Sequence, residues 1–362
     1  MIRPRTDVSC GVTMPANSQS GTPHLVSIQL LRTIAATAVV FEHAQQEATQ
    51  STASFLRIEF DFGIGVDIFF IISGFVMWLS SSHLFGISGG PPTFLKKRFQ
   101  RVVPLYWLYT LAMLAAIIML PGRLNNSETS PLMVLSSFLF FPYPNTLGDY
   151  TPVLALGWTL NYEIFFYALF GISLFFVRKQ GFAVLCALIF GFVLIWSFTN
   201  GGPIQFWGRP IILEFLIGVC LARIYMSRGS RPSHQGFAIL ILAAFVACWL
   251  LDFSSSRLIR LGIASSLFSV AFIFFLPPRL SGSLSGIARW GGDSSYTLYL
   301  SHPFVLAIVK IIWRKLDEAG THPWLYVWAA TIICVFACYA LYLLIERPLL
   351  KIWKRKPIAR TA

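Results

Sequence analysis

The stretch "LRTIAATAVVFEH", Leu31 to His43, places a guanidinium and an imidazole in one apolar run, with Glu42 beside the imidazole. An imidazole can take a proton from a hydroxyl, and a guanidinium can hold a phosphate or a developing oxyanion. Arg32 and His43 are 11 residues apart. On a helix turning about 100° per residue they point within roughly 20° of each other, about 16 Å apart along the axis. Taken singly, Arg32 is equally a side chain that snorkels to the membrane edge, and His43 an interfacial residue. Their shared face argues for a joint role.

Further ionisable residues fall in apolar surroundings, where each is a functional candidate. In "GIGVDIFFIISGFVMW", Asp67 follows Gly65, and Ser73-Gly74 interrupts the run with small residues that permit close helix approach. Asp67 caps a helix start, pairs with a basic residue, or takes part in chemistry. In "FLKKRFQRVVPLYW", Lys96, Lys97, Arg98 and Arg101 crowd one short segment before Pro104. That cluster is a topogenic signal, or a phosphate site in which Arg98 and Arg101 offer the planar forks. "LGWTLNYEIFFYALF" carries Trp158 and Tyr162, which suit an interfacial belt, and Glu163 inside the apolar stretch. Glu163 is expected at a depth similar to His43, where a carboxylate could orient an imidazole.

Three more blocks complete the set. "GRPIILEFLIGVCLA" holds Glu214 five residues after Arg209, and the simplest reading is an ion pair between them. "GDSSYTLYLSHPFVLAIV" sets His302 beside Pro303, a helix-disrupting proline that frees backbone carbonyls. Catalysis by His302 and a bond from His302 to one of those carbonyls are both open. "LLIERPLLKIW" ends on Glu346-Arg347, most simply a local ion pair. His24, His83, His234 and His322 fall in expected tails or loops.

The elements that must position these side chains are membrane helices. Hydrophobic residues make up 56% of the 362 and charged ones only 12%, about half the charge of an ordinary soluble domain. Apolar runs near the length needed to cross a bilayer occupy approximately 25–44, 62–82, 104–121, 159–177, 181–198, 209–226, 235–251, 258–276, 294–313 and 324–345. The expected fold is therefore all-α and polytopic, with about ten transmembrane helices. The run from Pro131 to Pro142 is too short to cross and is expected to be re-entrant or interfacial.

With a cytoplasmic N-terminus, inside loops and tails hold 19 Lys and Arg residues against 8 outside, so both termini are expected in the cytoplasm. The net charge of +13 is then topogenic and lipid-facing, which argues against nucleic acid as a partner. Five of the six cysteines, Cys186, Cys220, Cys248, Cys334 and Cys338, lie in apolar runs, and none of the six, Cys10 included, forms a metal-type pair. No metal is expected. Residues 1–23 lack the apolar core of a signal peptide and are expected to be a disordered cytoplasmic tail. One membrane domain, 24–349, follows, and then a basic cytoplasmic tail, 350–362.

Singly these signals are weak; in order they resemble the acyltransferase family 3 membrane proteins. The resemblance runs from about Ser27 to Leu349. It rests on Arg32-x10-His43, "GVDIFFIISGF" at 65–75, "RFQRVVPLYW" at 98–107, "WTLNYEIFFY" at 158–167, "EFLIG" at 214–218, "SYTLYLSHP" at 295–303 and "ERP" at 346–348. "GWTLNYEIFFY" and "FWGRPIILEF" are similar to its exopolysaccharide-production branch. The resemblance implies a bacterial inner-membrane enzyme that moves an acyl group, often acetyl, onto a hydroxyl of a cell-surface sugar. It implies acetyl-CoA or another acyl-CoA as co-substrate, with no permanently bound cofactor. A glycan or lipid-linked oligosaccharide would be the acceptor, with membrane lipids around the protein. It ties activity to Arg32 and His43, and maps the family's acidic residue onto Glu163, with Thr159 in place of a commoner serine. Any hydrolase-like partner domain, which some relatives append, is expected to be a separate protein or absent.

On this reading His43 is the base, or carries the acyl group itself, and Glu163 or Asp67 steadies its imidazolium. Arg32 guides the donor or holds the oxyanion. Arg98 and Arg101 bind acyl-CoA, while Glu214, His302 and Tyr162 meet the acceptor. The rival is a proton-coupled transporter or flippase of polysaccharide or lipid-linked sugar, which intramembrane Arg, Glu, Asp and His also fit. Against it, the chain shows no repeated half.

Overall fold

The computed structural model describes residues 25–51, 58, 60–120, 130–145, 148–250, 257–277, 282–317 and 321–354. Nearly all of the N-terminal tail with Cys10 and His24, most of the basic C-terminal tail, and Arg57, Arg123 and Arg279 lie outside the described residues. Among the described residues the secondary structure is helical, with no strand.

A helix lies at each of the ten predicted spans. In chain order they are α1 (Val26–Ser51), α2 (Ile64–Ser81), α3 (Gly90–Met119), the short α4 (Pro131–Phe138), α5 (Gly157–Ser173), α6 (Arg178–Trp196) and the short α7 (Gly202–Trp207). Then come α8 (Leu213–Arg228), α9 (His234–Leu250), α10 (Arg257–Val270), α11 (Ser283–Leu316), α12 (Pro323–Leu341) and α13 (Arg347–Lys354). Among the described residues, six segments are both long and apolar enough to cross a membrane: Ile64–Leu84, Gly90–Met119, Arg178–Trp196, Pro210–Arg228, Ser283–Leu316 and Pro323–Ile352. Two further apolar helices, His234–Ala247 and Ile259–Phe275, are shorter. The remaining two expected spans differ for physical reasons. α5 has only 17 residues, and α1 is long but carries Arg32, Glu42, His43 and several glutamines.

Because α1 is polar it is packed inside the bundle, against α2, α11 and α12. Apolar side chains face outward instead: Ile118, Phe198, Phe175 and Leu344 are largely exposed on their helices, as lipid-facing residues are. α4 follows Ser130, whose hydroxyl accepts the Met133 amide at 3.1 Å, and its eight residues are too few to cross.

Small residues set the closest crossings. A methyl group placed on Gly74 of α2 would stand 2.0 Å from the Phe215 carbonyl oxygen of α8. Gly218 of α8 lies equally close to the Ile71 carbonyl oxygen of α2, so backbone meets backbone at two successive points. Gly65 lies against Ala35 of α1, while Gly291 and Gly292 of α11 lie against Thr33 and Gln29. Gln29 then reaches Asp293 at 3.1 Å. Two π-helical segments, Ala271–Phe275 and Tyr342–Glu346, each shift the side-chain register within an apolar run.

Candidate active site

α1 carries its two ionisable side chains into two separate polar layers. At one end His43 is half-buried, and Gln46, three residues on, comes within hydrogen-bonding reach of it. Gln46 is held in turn: its Nε2 donates to Glu42 Oε1 at 2.9 Å, and its amide oxygen can accept from an imidazole N–H.

Across from His43 stands His302 of α11, with ring centroids 5.2 Å apart. His302 Nδ1 lies 3.0 Å from the Leu298 carbonyl oxygen, which can only accept, so Nδ1 carries the hydrogen. Nε2 therefore holds a bare lone pair. It has no hydrogen-bond partner, and the residue is 0% exposed. Pro303, the next residue, lies inside α11 and has no N–H for the Tyr299 carbonyl. The His302 side chain also comes within bonding reach of that Tyr299 carbonyl. The bond that holds Nδ1 is to Leu298, one residue before the carbonyl that Pro303 leaves open, and the second nitrogen has no partner. Tyr299 closes this layer, its ring 6.2 Å from His302 and its hydroxyl 2.9 Å from Thr159 Oγ1.

The second layer surrounds Arg32. Arg101, Glu346, Asp293 and Glu163 are the charges that act on it. Arg98 Nη2 donates to Ser80 Oγ at 2.6 Å, and its guanidinium lies over the Phe94 ring. Glu163 accepts from Ser73 of α2 at 3.0 Å and from Tyr167, one turn along α5, at 2.5 Å. Glu163 thus belongs with the arginines, contrary to the expectation that it shares the depth of His43. α5 begins at Gly157, so Thr159 meets the histidine layer and Glu163 lies one turn further along. The carboxylates whose charges act on His43 are Glu42 and Glu47.

Glu346 also departs from expectation. It is buried and accepts from Thr297, with Arg101 and Arg32 acting on it, while Arg347 is exposed. The π turn that ends at Glu346 rotates the carboxyl inward, and adjacent helical residues point to different sides.

Asp67 and Glu214 are both 4% exposed and hydrogen-bond to each other. The Gly74–Gly218 crossing brings them together, with Asp67 two turns before Gly74 on α2 and Glu214 one turn before Gly218 on α8. Arg209, the expected partner of Glu214, instead lies over the Phe206 ring. Tyr162 is 0% exposed, with its hydroxyl on the Phe206 carbonyl and its ring stacked on the Phe206 ring. Its position is that of a packing residue holding α7.

Among the described residues, no group of three or more His, Cys, Asp or Glu side chains is arranged to hold a metal ion. Sequence reasoning passed over Gln46, Thr297 and Tyr167, and read Ser73 only as a small packing residue. The first and third were findable, because Gln46 follows His43 by three residues and Tyr167 follows Glu163 by four, each pair sharing a helix face.

The chain's similarities agree with this polar interior. The sequence profile of the acyltransferase domain, family 3, matches residues 25–343. The exopolysaccharide production protein ExoZ of Rhizobium meliloti (strain 1021) is 32% identical over 295 residues, covering 79% of this chain and 89% of that protein. The acyltransferase MdmB of Streptomyces mycarofaciens is 28% identical over 254 residues, covering 61% of this chain and 63% of MdmB. No solved structure matches. With its Arg32-x10-His43 helix at the centre and the family profile spanning nearly all its helices, the chain belongs to the acyltransferase family 3 membrane proteins.

Proposed function

We propose that the protein is an O-acyltransferase of the bacterial inner membrane. It moves an acyl group, acetyl in the simplest case, from acyl-CoA to a hydroxyl of an exopolysaccharide or other cell-surface sugar. The observation that carries this reading is the pair of polar layers on one helix face, a histidine layer and an arginine layer 11 residues apart on α1. A thioester whose phosphates are anchored among arginines would extend its acyl end toward an imidazole about 16 Å away. Both termini and the arginine layer face the cytoplasm on this reading.

Arg98 and Arg101 bind the donor's phosphates, for which guanidinium forks are suited. Arg32 lies deeper and guides the thioester arm. Glu163, held by Ser73 and Tyr167, balances the charge of these arginines and fixes their positions. His43 takes the proton from the acceptor hydroxyl as its oxygen attacks the acyl carbon. Gln46, tied to Glu42, fixes which imidazole nitrogen carries hydrogen. His302 meets the acceptor beside His43. Asp67 and Glu214 set the depth of α2, and through it the place of Ser73. ExoZ, by its name, serves exopolysaccharide production, which supports a polysaccharide acceptor.

Mass spectrometry of the surface polysaccharide tests the proposal. Cells carrying the wild-type protein should add an ester-sized mass that is absent both without the protein and with His43→Ala at equal membrane abundance. Identical glycan masses in all three strains, with a difference only in the amount of exported polymer, would replace acyltransfer with transport.

A further inference from the structure

We infer that His302 is the second half of a proton-sharing imidazole pair, in which its Nε2 accepts the hydrogen that His43 takes from the acceptor. The inference rests on the acyltransfer reading and assigns His302 a place within the reaction.

Each ring has one nitrogen committed to another partner. On His302, Nδ1–H is held by the Leu298 carbonyl at 3.0 Å. On His43, one nitrogen is the partner of Gln46, whose amide is fixed by Glu42. One lone pair remains on each ring, the ring centroids are 5.2 Å apart, and His302 Nε2 is fully buried with nothing donating to it. A buried acceptor without a donor is costly, and a catalytic role is one reason such a group is kept. The imidazolium N–H of His43 is that donor.

The step balances. The acceptor oxygen bonds to the acyl carbon while its O–H proton passes to His43. Once the oxygen is bonded to carbon it no longer competes for the new N–H, which turns to His302 Nε2 and spreads the positive charge over two rings. As the acyl carbon–sulfur bond breaks, the proton returns to the departing thiolate. Both imidazoles end neutral, and an ester and a free thiol are the products.

Two amide substitutions separate this role from a structural one. Asn reproduces the Nδ1 position of histidine and Gln reproduces Nε2. His302→Asn keeps a donor for the Leu298 carbonyl and loses the acceptor that faces His43. His302→Gln does the reverse. Proton sharing predicts a loss of about a hundredfold in kcat for His302→Asn, within the usual range for a proton-transfer group, and a smaller loss for His302→Gln. A merely structural histidine gives the opposite order, and that order overturns the inference. Nitrogen-15 NMR of histidine-labelled protein in nanodiscs supplies a readout independent of turnover. His302 should show a protonated Nδ1 and a bare Nε2, and the other tautomer overturns the inference. Wild-type protein that transfers no acyl group in the same assay would instead remove the acyltransfer reading while leaving the tautomer measured.

Discussion

Gly218 of α8 rests on the Ile71 carbonyl of α2 so closely that an added methyl group would stand 2.0 Å from that oxygen. Nothing flexible lies at the contact, because both partners are helix backbone. Gly218→Ala should therefore push the two helices apart, with a loss of about 1–3 kcal/mol in stability, the usual range for overpacking. Gly286 in α11 is the control, since a methyl group there meets nothing within 4 Å. Gly286→Ala should be neutral or slightly stabilising, by up to about 1 kcal/mol. Thermal unfolding of the two variants in the same lipid nanodisc measures the contrast.

Tyr167 and Ser73 reach one carboxylate oxygen, Oε1 of Glu163, from two helices. A hydrogen bond to a charged group contributes about 1.5–3 kcal/mol. Tyr167→Phe should therefore weaken the placement of Arg98 and Arg32 without a packing defect, and lower donor-limited kcat/KM by about tenfold or more. Ser73→Ala should act in the same direction, and the double variant should lose less than the product of the two. Acyl-transfer kinetics at varied donor and saturating acceptor decide it.

The Arg98 guanidinium is braced by Ser80 and by the Phe94 ring. Lysine keeps the charge but loses the planar fork and the stacking face. Arg98→Lys should raise the KM for acyl-CoA by about tenfold while leaving the KM for the acceptor unchanged. Equilibrium binding of a non-hydrolysable acyl-CoA thioether to purified protein gives the same answer without turnover, and unaltered affinity would remove Arg98 from the donor site.

What the sequence revealed and what it hid divide along the helix repeat. Arg32 and His43 were legible as partners because a fixed angle per residue places them on one face. Gln46 and Tyr167 obey the same rule and were there to be found. Glu163 was misplaced because its depth depends on where α5 begins, and an apolar run does not mark its own first residue. Glu346 was misread because a π turn adds a residue to the register, and apolar letters carry no sign of it. The pairing of Asp67 with Glu214 was out of reach, since it depends on which helices cross at Gly74 and Gly218. The membrane count shows the same limit: among the described residues six segments are long and apolar enough to cross, while α1, an expected span from its apolar run, is not one of them because its polar residues lower its hydropathy.

Asp67 and Glu214 yield the last prediction. Two ionised carboxylates have no hydrogen to share, so the bond between them requires a proton on one. An amide can supply that hydrogen permanently. Glu214→Gln should thus keep the α2–α8 contact and stay within about 1 kcal/mol of wild-type stability, the net value of one hydrogen bond. Glu214→Leu removes the bond and should lower stability by about 2 kcal/mol, the penalty of losing a buried partner. Because α2 also carries Ser73, the leucine variant should raise the donor KM as Ser73→Ala does, whereas the glutamine variant should not. If Glu214→Gln instead abolished transfer at full stability, the exchangeable proton itself would be required, and the pair would belong to the chemistry rather than to the frame. Unfolding curves and donor kinetics on the two variants, side by side, separate these outcomes.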